Sequence, residues 1–549
     1  MSLRSRWLLI LLALVLAWFG TLDFRKLVKP DEGRYAEIPR EMVVTGDWLT
    51  PRLNGIKYFE KPPLQYWATA TAFEAFGLNE WTARLWPALT GFMGILLAWF
   101  TGRRLFGNQA GILAGMTLAS SFLYLAMGHI NTLDMGLCFF LELAVCSFLL
   151  AQTSKPASVV VNHARRWMLL AWAALALAVL SKGIVALVLT GATLVLYSLL
   201  SRDWALWRRL ELLRGLVLFF LIAAPWFIAV SVVNPEFPTF FFIHEHFERF
   251  LTKAHRRYQP AWYFIPILLL GALPWTSLAL RSLWGSWKSA SEQAFQPQRF
   301  LLLWCVVVFA FFSASGSKLP SYILPLFPAL ALLLGRFLSG ISGRALVWHL
   351  VPVAALALVC LVYAPDVVER ADEDVPLALY AAYADWLIAA ASVWLASTLL
   401  AIGFGWRGLR NGALSVLAIG SFLAQNLALL GHESLSASNS AYHLAQRLKS
   451  ILPADVPLFS VHFYDQTLPV YLQRTVILVN YRDEFSFGQS QQPQLSVPSM
   501  EEFQARWQAA ADAFAIMEPD QFDKLQALQF PMTEVLRDTR RVVVRKHSS

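Results

Sequence analysis

Residues 212–233 read LLRGLVLFFLIAAPWFIAVSVV, an apolar run whose only charged residue is Arg214. A helix of about 20 mainly apolar residues is long enough to cross the hydrocarbon core of a bilayer. Similar runs recur along the chain as far as about residue 431. They are too long and too numerous to be core helices of a globular domain, so the sequence predicts a polytopic membrane protein.

The composition leads to the same prediction. Of the 549 residues, 57% are hydrophobic and 15% are charged, whereas roughly a quarter of a typical soluble domain is charged. The first apolar segment follows two arginines, and no small-residue cleavage site follows it, so we interpret it as a retained helix rather than a signal peptide. The cysteines lie inside apolar runs and indicate neither a disulfide framework nor a metal cluster. These are Cys138, Cys146, Cys305 and Cys360.

Hydropathy predicts about thirteen membrane spans. They are residues 7–22, 82–102, 109–126, 131–151, 166–181, 183–200, 212–233, 262–280, 299–315, 320–339, 346–363, 382–403 and 411–431. One set of linkers is short and basic, with pairs such as Arg103 and Arg104, and basic linkers stay in the cytoplasm. The N-terminus therefore faces the cytoplasm, and an odd number of spans places the C-terminal end outside.

The hydropathy falls to that of a soluble domain after about Gly431. We predict a transmembrane domain over residues 1–431, with a long outer loop at 23–80, and a small α/β domain over residues 432–549. HLAQRLKSIL and EEFQARWQAAA are typical of helices, and VPLFSVHFY, TVILV and RRVVVRK of strands. This domain carries no phosphate-binding glycine loop and no metal-ligand spacing, so we interpret it as a cap that shields the substrate.

The first outer loop contains KPDEGRYAEIPREM at residues 29–42. Asp31 follows a proline at the start of a helical stretch, so a helix N-cap is one interpretation of it. Glu32 is adjacent, however, and Arg34 falls in the first turn. Two carboxylates beside a guanidinium, just outside a span, are typical of a site that binds a phosphorylated substrate and manages a proton or a cation.

The same loop continues with NGIKYFEKPPLQYW at residues 54–67, in which two prolines predict the start of another helix. Tyr58, Glu60 and Lys61 precede these prolines. One interpretation is an ordinary interfacial segment, with aromatic rings at headgroup level and a lysine that reaches the surface. The other is a site for an amphiphile whose headgroup carries phosphate and sugar.

Asp134, in HINTLDMG, is a second acid at the outer end of a span, where an unpaired carboxylate is costly. Asp31 and Asp134 as a pair are a better catalytic candidate than either acid alone. Lys182 in LSKGIVALVL and Lys318 in SGSKLPSYILPLFP, with Tyr322 nearby, are either membrane anchors or phosphate ligands.

His244 and His246 lie two residues apart in the outer stretch that follows residue 234. Histidines with this spacing are candidate ligands for a divalent ion. A solvated amphipathic helix is the alternative interpretation of the same stretch.

These motifs together resemble the polyprenyl-phosphate-dependent glycosyltransferases of the GT-C fold, over essentially the whole chain. PDEGRYAE combined with YFEKPPLQYW is most similar to the family that transfers 4-amino-4-deoxy-L-arabinose to lipid A, whereas a DE pair alone would indicate only the wider superfamily. The LD turn at Asp134, the SKG turn at Lys182 and SKLPSYILP add to the resemblance.

The resemblance implies an undecaprenyl-phosphate aminoarabinose donor, a lipid A phosphate acceptor and resistance to polymyxin. It places the active site and the C-terminal domain at the periplasmic face of a bacterial inner membrane, in a monomer that binds membrane lipids and no nucleic acid. Asp31 and Asp134 match catalytic acids, and Glu60 matches a position for a divalent ion such as zinc, with His244 and His246 as candidate partners. The carrier phosphate or the sugar is expected at Glu32, Arg34, Tyr58, Lys61, Lys182, Lys318 and Tyr322.

Two alternatives remain at this point. A transferase of the same fold could use another sugar, or a protein Ser/Thr hydroxyl as acceptor, and a hydroxyl acceptor requires a true general base. A transporter or lipid flippase would need polar or broken helices near the bilayer midplane. Here the charges collect at the outer ends of the helices and no inverted repeat is visible, which argues against transport.

Overall fold

The computed structural model describes residues 12–154, 161–248, 259–287 and 295–546. Long apolar helices form a bundle, the first outer loop covers one end of it, and a C-terminal α/β domain lies on that loop. The predicted fold class, a helical membrane bundle with a small α/β domain, is confirmed. Residues 12–19 are helical, while the beginning of the predicted span 7–22 lies outside the described residues.

Nine helices within the described residues are long and apolar enough to cross a membrane, and two bent helix pairs raise this number to eleven. Val185–Ser201 is a shorter apolar helix. The total of thirteen spans therefore stays a prediction. The nine are Glu80–Phe106, Asp134–Thr153, His163–Lys182, Leu212–Val233, Pro297–Ala314, Pro320–Leu338, Gly343–Tyr363, Leu377–Trp406 and Arg410–Asn439.

The predicted spans 109–126 and 262–280 each consist of two helices in the structure. Asn108–Ala119 and Phe122–Gly128 are bent by 66°, and Ala261–Gly271 and Thr276–Trp287 by 113°. At the first break, the Ser121 hydroxyl donates to the backbone carbonyl of the preceding turn and so competes with helical hydrogen bonding. At the second break, a proline lacks the N–H that would continue the helix.

The first outer loop folds into two helices joined by a short hairpin. The first-loop helix spans Asp31–Thr45, strands β1 (Arg52–Leu53) and β2 (Ile56–Lys57) pair antiparallel, and the second-loop helix spans Leu64–Phe76. Pro30 occupies the N-cap of the first-loop helix without a side-chain cap. Asp31 is therefore the first helical residue and not the N-cap, which leaves its carboxylate available for other contacts.

The C-terminal domain contains a six-stranded sheet in the order β5-β4-β3-β6-β8-β7. Strands β3 to β6 are parallel, and β8 pairs antiparallel with both β6 and β7. The strands are β3 Leu458–Val461, β4 Ile477–Val479, β5 Ser496–Val497, β6 Phe514–Met517, β7 Met532–Arg537 and β8 Val542–Lys546. A short helix, Ser436–Asn439, ends the last long helical stretch, and the helices of this domain are Tyr442–Lys449, Thr467–Leu472, Ser486–Gln491, Met500–Ala509 and Pro519–Ala527. The predicted α/β domain is confirmed.

The first outer loop and the C-terminal domain share one hydrophobic core, in which Tyr35 and Ile38 pack with Leu468 and other apolar side chains of the sheet domain. The Asn54 side chain pairs with the Val476 backbone through two hydrogen bonds, its amide donating at 2.7 Å and its carbonyl accepting at 2.8 Å. These contacts fix the C-terminal domain directly above the loop.

Gly33 marks the closest approach between the two parts. A Cβ atom at this position would lie 2.5 Å from the Gln466 carbonyl carbon, so Gly33→Ala must separate the first-loop helix from the C-terminal domain. We expect a loss of about 1–3 kcal/mol of stability, as for overpacked cores, measured as a lower unfolding temperature in detergent. Gly191→Ala is the control, because nothing lies within 4 Å of the added atom. Equal unfolding temperatures for the two variants would contradict this close packing.

Candidate active site

Arg34 connects the first outer loop with the C-terminal domain. Its guanidinium donates to Asp31 Oδ1 at 2.6 Å and to Glu484 Oε2 at 2.5 Å. Gln466 donates to the other oxygen of Glu484 at 2.7 Å and so holds that carboxylate in place. The Asp31 side chain remains 34% exposed, against 10% for Arg34, so Asp31 is the member of this group that a substrate can reach.

Asp134 and Lys182 form a second charged pair, from the start of one membrane helix and the end of the next. The Lys182 ammonium donates to Asp134 Oδ1 and lies 4.5 Å from the ring centroid of Tyr322. A cation over an aromatic face is stabilised by the ring quadrupole. Three of the predicted site residues are therefore in contact, and the Asp134 carboxylate is neutralised at the membrane surface as its position requires.

Buried tyrosines lie between these two pairs. The rings of Tyr35 and Tyr66 stack at 6.2 Å, and the hydroxyl of Tyr66 is buried with no hydrogen-bond partner among the described residues. Burial raises the pKa of Tyr35, and the carboxylates of Asp31, Glu60 and Asp134 raise it further. The carboxylates of Asp31 and Asp134, the two predicted catalytic acids, therefore both act electrostatically on the phenol of Tyr35.

Tyr58 is also buried within this cluster. Its pKa is raised by burial and by the carboxylate of Glu60, while the Arg34 guanidinium opposes the shift. A neutral phenol is a hydrogen-bond donor as well as an acceptor. The tyrosines therefore supply neutral polar groups between the charged pairs, as a sugar with several hydroxyl groups requires.

Glu60, Lys61 and Glu245 form the third charged group. Lys61 donates to Glu245 Oε2 at 3.1 Å and lies 3.9 Å from Glu60 Oε2. Both carboxylates thus face an ammonium. Within the described ranges no group of three His, Cys, Asp or Glu side chains comes together to hold a metal ion.

The two predicted histidine ligands lie on the helix Thr239–Glu248. The His244 side chain is exposed, and its ring is 6.3 Å from that of Phe240. The side chain of His246 lies outside the described residues. The metal site at Glu60 stays a prediction.

Glu32 faces away from Asp31, although the two are adjacent in sequence. Both of its oxygens accept from Arg84 at 2.7 Å, and they also accept the backbone N–H groups of Val28 and Asn131. Burial alone would raise the pKa of Glu32, but the Arg84 guanidinium lowers it to about 2. Through these contacts Glu32 anchors the loop on the bundle, and the substrate contact predicted for it stays a prediction.

Lys318 contacts two backbone carbonyl groups in the structure. Its ammonium donates to the carbonyl oxygens of Gln259, at 2.9 Å, and of Ser315. Burial lowers its pKa. Lys318 therefore orders the turn that leads into Tyr322.

Three site residues escape sequence reasoning: Tyr66, Gln466 and Glu484. Tyr66 lies in the YFEKPPLQYW motif. Its position one helical turn after the paired prolines could have indicated that it belongs to the site. Glu484 is 450 residues from Arg34 along the chain, and no motif of its own distinguishes it.

Residues 5–241 match the model of dolichyl-phosphate-mannose-protein mannosyltransferases, and residues 444–546 match the aminoarabinose transferase C-terminal domain. The crystal structure of ArnT from Cupriavidus metallidurans bound to undecaprenyl phosphate is 39% identical in sequence. It covers 100% of this chain and 99% of its own, with a TM-score of 0.94.

More distant similarity is found in an oligosaccharyltransferase from Archaeoglobus fulgidus. It covers 94% of this chain and 70% of its own, with a TM-score of 0.50 at 14% identity, and shares the fold alone. The undecaprenyl phosphate-alpha-4-amino-4-deoxy-L-arabinose arabinosyl transferase 1 of Proteus mirabilis is 35% identical over 349 residues. That match spans 63% of this chain and 61% of the relative, so the chain spans about three fifths of this curated protein.

The helical bundle, the covering loop and the charged site beneath the C-terminal domain define a multi-pass membrane glycosyltransferase of the GT-C fold. Within that class the agreement over the full length with the Cupriavidus structure, together with the C-terminal domain match, is decisive. The chain belongs to the 4-amino-4-deoxy-L-arabinose transferase family.

Proposed function

We propose that this protein transfers 4-amino-4-deoxy-L-arabinose from undecaprenyl phosphate to a phosphate group of lipid A. The observation that carries the proposal is the arrangement of two acid–cation pairs, Asp31 with Arg34 and Asp134 with Lys182, around buried tyrosines at one end of the bundle. The Cupriavidus relative is bound to undecaprenyl phosphate, which supports the same carrier for this chain.

This transfer depends more on cationic side chains than on a general base. A phosphate monoester is largely ionised near neutral pH because its second pKa is about 6. One acceptor phosphate oxygen forms the new bond to the anomeric carbon while the bond from that carbon to the carrier phosphate oxygen breaks. Arg34, Lys61 and Lys182 offset the charge of two phosphates in one site and of the departing carrier phosphate.

The different exposures of the two acids support different tasks for them. Asp31 is the accessible carboxylate, and it orients the acceptor or pairs with the amino group of the donor sugar. The Asp134 side chain is only 11% exposed and contacts Lys182. Asp134 therefore holds Lys182 at the site, where the ammonium faces Tyr322.

The proposal includes a place in the cell and an assembly state. Basic linkers at the opposite ends of the helices support a cytoplasmic location for those ends and a periplasmic location for the site, in the inner membrane. The proposed assembly state is a monomer. Modification of lipid A at this face lowers its negative charge and with it the binding of cationic peptides such as polymyxin.

A divalent ion at Glu60, with His244 and His246 as further ligands, stays a separate proposal. Such an ion would supply positive charge at the carrier phosphate. Metal content of the purified protein tests it directly, since Glu60→Gln should lower the bound metal per chain. Unchanged metal content in this variant, or none in the parent protein, would exclude the ion.

Transfer can be measured in proteoliposomes that contain the purified protein, the undecaprenyl-phosphate aminoarabinose donor and lipid A. We expect mass spectrometry to detect lipid A with a mass increment of one aminopentose per modified phosphate. Parallel vesicles with dephosphorylated lipid A should give no product, because the acceptor oxygen is missing. A product formed only on a protein Ser/Thr acceptor, or donor counterflow without any product, would overturn the proposal.

A further inference from the structure

A cavity of about 480 Å³ opens among the helices Thr276–Trp287, Pro297–Ala314, Phe327–Leu338 and Gly343–Tyr363. Its lining combines basic and polar side chains with apolar ones such as Leu333 and Phe337. The side chains that matter here are Arg281, Ser282, Ser286, Gln298, Arg336 and His349. A second cavity of about 680 Å³ shares Ile341 and Ser342 with the first and adds Arg344 and Arg410. We refer to the two adjoining cavities as the basic pocket.

The basic pocket lies at the end of the bundle opposite the candidate active site. Tyr322 contacts Lys182 at the active site, and the helix Phe327–Leu338 leads away from it. With a rise of 1.5 Å per residue, Arg336 is roughly 20 Å from Tyr322 along the helix axis. The basic pocket therefore takes no part in the chemistry proposed for Asp31 and Asp134.

Among the described residues, the charge of the basic pocket is not balanced by acids. No described carboxylate lines either cavity, and across the same residues Arg281, Arg336 and Arg344 make no ion pair. The hydroxyl of Ser282 is buried there without a hydrogen-bond partner in the described part of the chain. Arg410 also lines the second cavity, but its guanidinium is already engaged because it donates to the Ser339 carbonyl at 2.9 Å.

Two described acids at this end of the bundle, Glu211 and Asp203, are engaged elsewhere. Glu211 accepts from Arg165 at 3.0 Å, and Asp203 accepts from Arg209 at 2.5 Å. The acids thus neutralise another part of the same surface. Arg281 and Arg336 line the first cavity and Arg344 lines the second. Guanidinium groups without a paired acid are suited to a phosphate anion, which accepts several charge-assisted hydrogen bonds.

Exposed tryptophans next to the basic pocket place it at a membrane–water interface. Trp287, Trp348 and Trp406 are all exposed, and the rings of Trp348 and Trp406 are 6.5 Å apart. Tryptophans at helix ends sit at headgroup level in membrane proteins. Trp348 adjoins His349 of the cavity lining, so apolar side chains lie beside an anion that binds here. The acyl chains of a lipid need such apolar contacts, whereas a soluble ion does not.

We propose that the basic pocket binds the headgroup of an anionic phospholipid from the leaflet opposite the active site. Basic pockets between membrane helices on the cytoplasmic side are suited to such headgroups. The two cavities meet at Ile341 and Ser342, and each carries its own arginines. A headgroup with two phosphates, as in cardiolipin, therefore fits better than one with a single phosphate.

Native mass spectrometry of the purified full-length protein with added cardiolipin, phosphatidylglycerol or phosphatidylethanolamine tests the proposal. We expect binding in the order cardiolipin, phosphatidylglycerol, phosphatidylethanolamine. The triple variant Arg281→Gln, Arg336→Gln, Arg344→Gln should bind cardiolipin at least about tenfold more weakly, given the contribution of each basic residue near an anionic membrane surface. Arg336→Gln alone should give a smaller loss in the same direction, which keeps the test valid if the triple variant folds poorly.

The matched control removes three exposed arginines that line neither cavity: Arg103→Gln, Arg104→Gln and Arg208→Gln. It should retain cardiolipin binding within about twofold, and both triple variants should keep the parent's unfolding temperature in lipid-free detergent. An equal loss in the control would mean diffuse surface attraction and would overturn the proposal. So would displacement of cardiolipin by millimolar inorganic phosphate, which would identify a site for a soluble anion.

Discussion

Asp31→Asn is expected to lower the turnover number for aminoarabinose transfer by about 10²-fold or more, the size of effect expected when a group that positions the substrate is lost. Asparagine has nearly the same shape as aspartate and can still accept a hydrogen bond from Arg34, which lies 2.6 Å away. The substitution therefore removes the charge at the most exposed carboxylate among the described acid–cation pairs of the site, and it leaves the helix start in place. Initial rates in proteoliposomes at saturating donor measure the effect.

Asp23→Asn is the matched control, because Asp23 is an exposed carboxylate near the start of the same outer loop. Its rate should stay within twofold of the parent protein. Unfolding temperatures of both variants should equal that of the parent, which separates a catalytic loss from misfolding. A normal rate for Asp31→Asn would remove Asp31 from the mechanism and leave Asp134 with Lys182 as the reacting pair.

The sequence predicts the class of fold because apolar length is a direct physical requirement of the bilayer. The breaks inside two spans escape that reasoning. At Ser120 and Ser121, and again near Pro274, the apolar composition continues through the break, so hydropathy cannot detect the change of direction. The hydroxyl groups and the missing proline N–H decide it locally.

The sequence predicts only part of the candidate site, and the reason is geometric. Asp31 and Glu32 are neighbours in sequence, yet adjacent residues on a helix point about 100° apart. One therefore faces Arg34 and the other faces Arg84 inside the bundle. Glu484 completes the site from the C-terminal domain, and only the tertiary fold brings it to Arg34.

Arg84→Gln is expected to cause the largest loss of stability. The guanidinium of Arg84 is fully buried, donates to both oxygens of Glu32 and also donates to three backbone carbonyls. Removing one partner leaves a buried carboxylate uncompensated, which costs about 3–5 kcal/mol. We expect a clearly lower unfolding temperature in detergent, whereas the double variant Glu32→Gln, Arg84→Gln should lose less than the two single variants combined, because the paired charges are removed together.

The pH dependence of stability gives an independent test of the same pair. Glu32 has a pKa of about 2 in the folded protein, below its value of about 4.3 in an unfolded chain. Its contribution, about 3 kcal/mol on this basis, is complete above pH 4.3 and is lost as the pH falls toward 2. The unfolding temperature of the parent should therefore fall more steeply between pH 5 and pH 3 than that of Glu32→Gln. Parallel curves for the two proteins would contradict the buried ion pair, and with it the anchoring that holds Asp31 at the surface of the bundle.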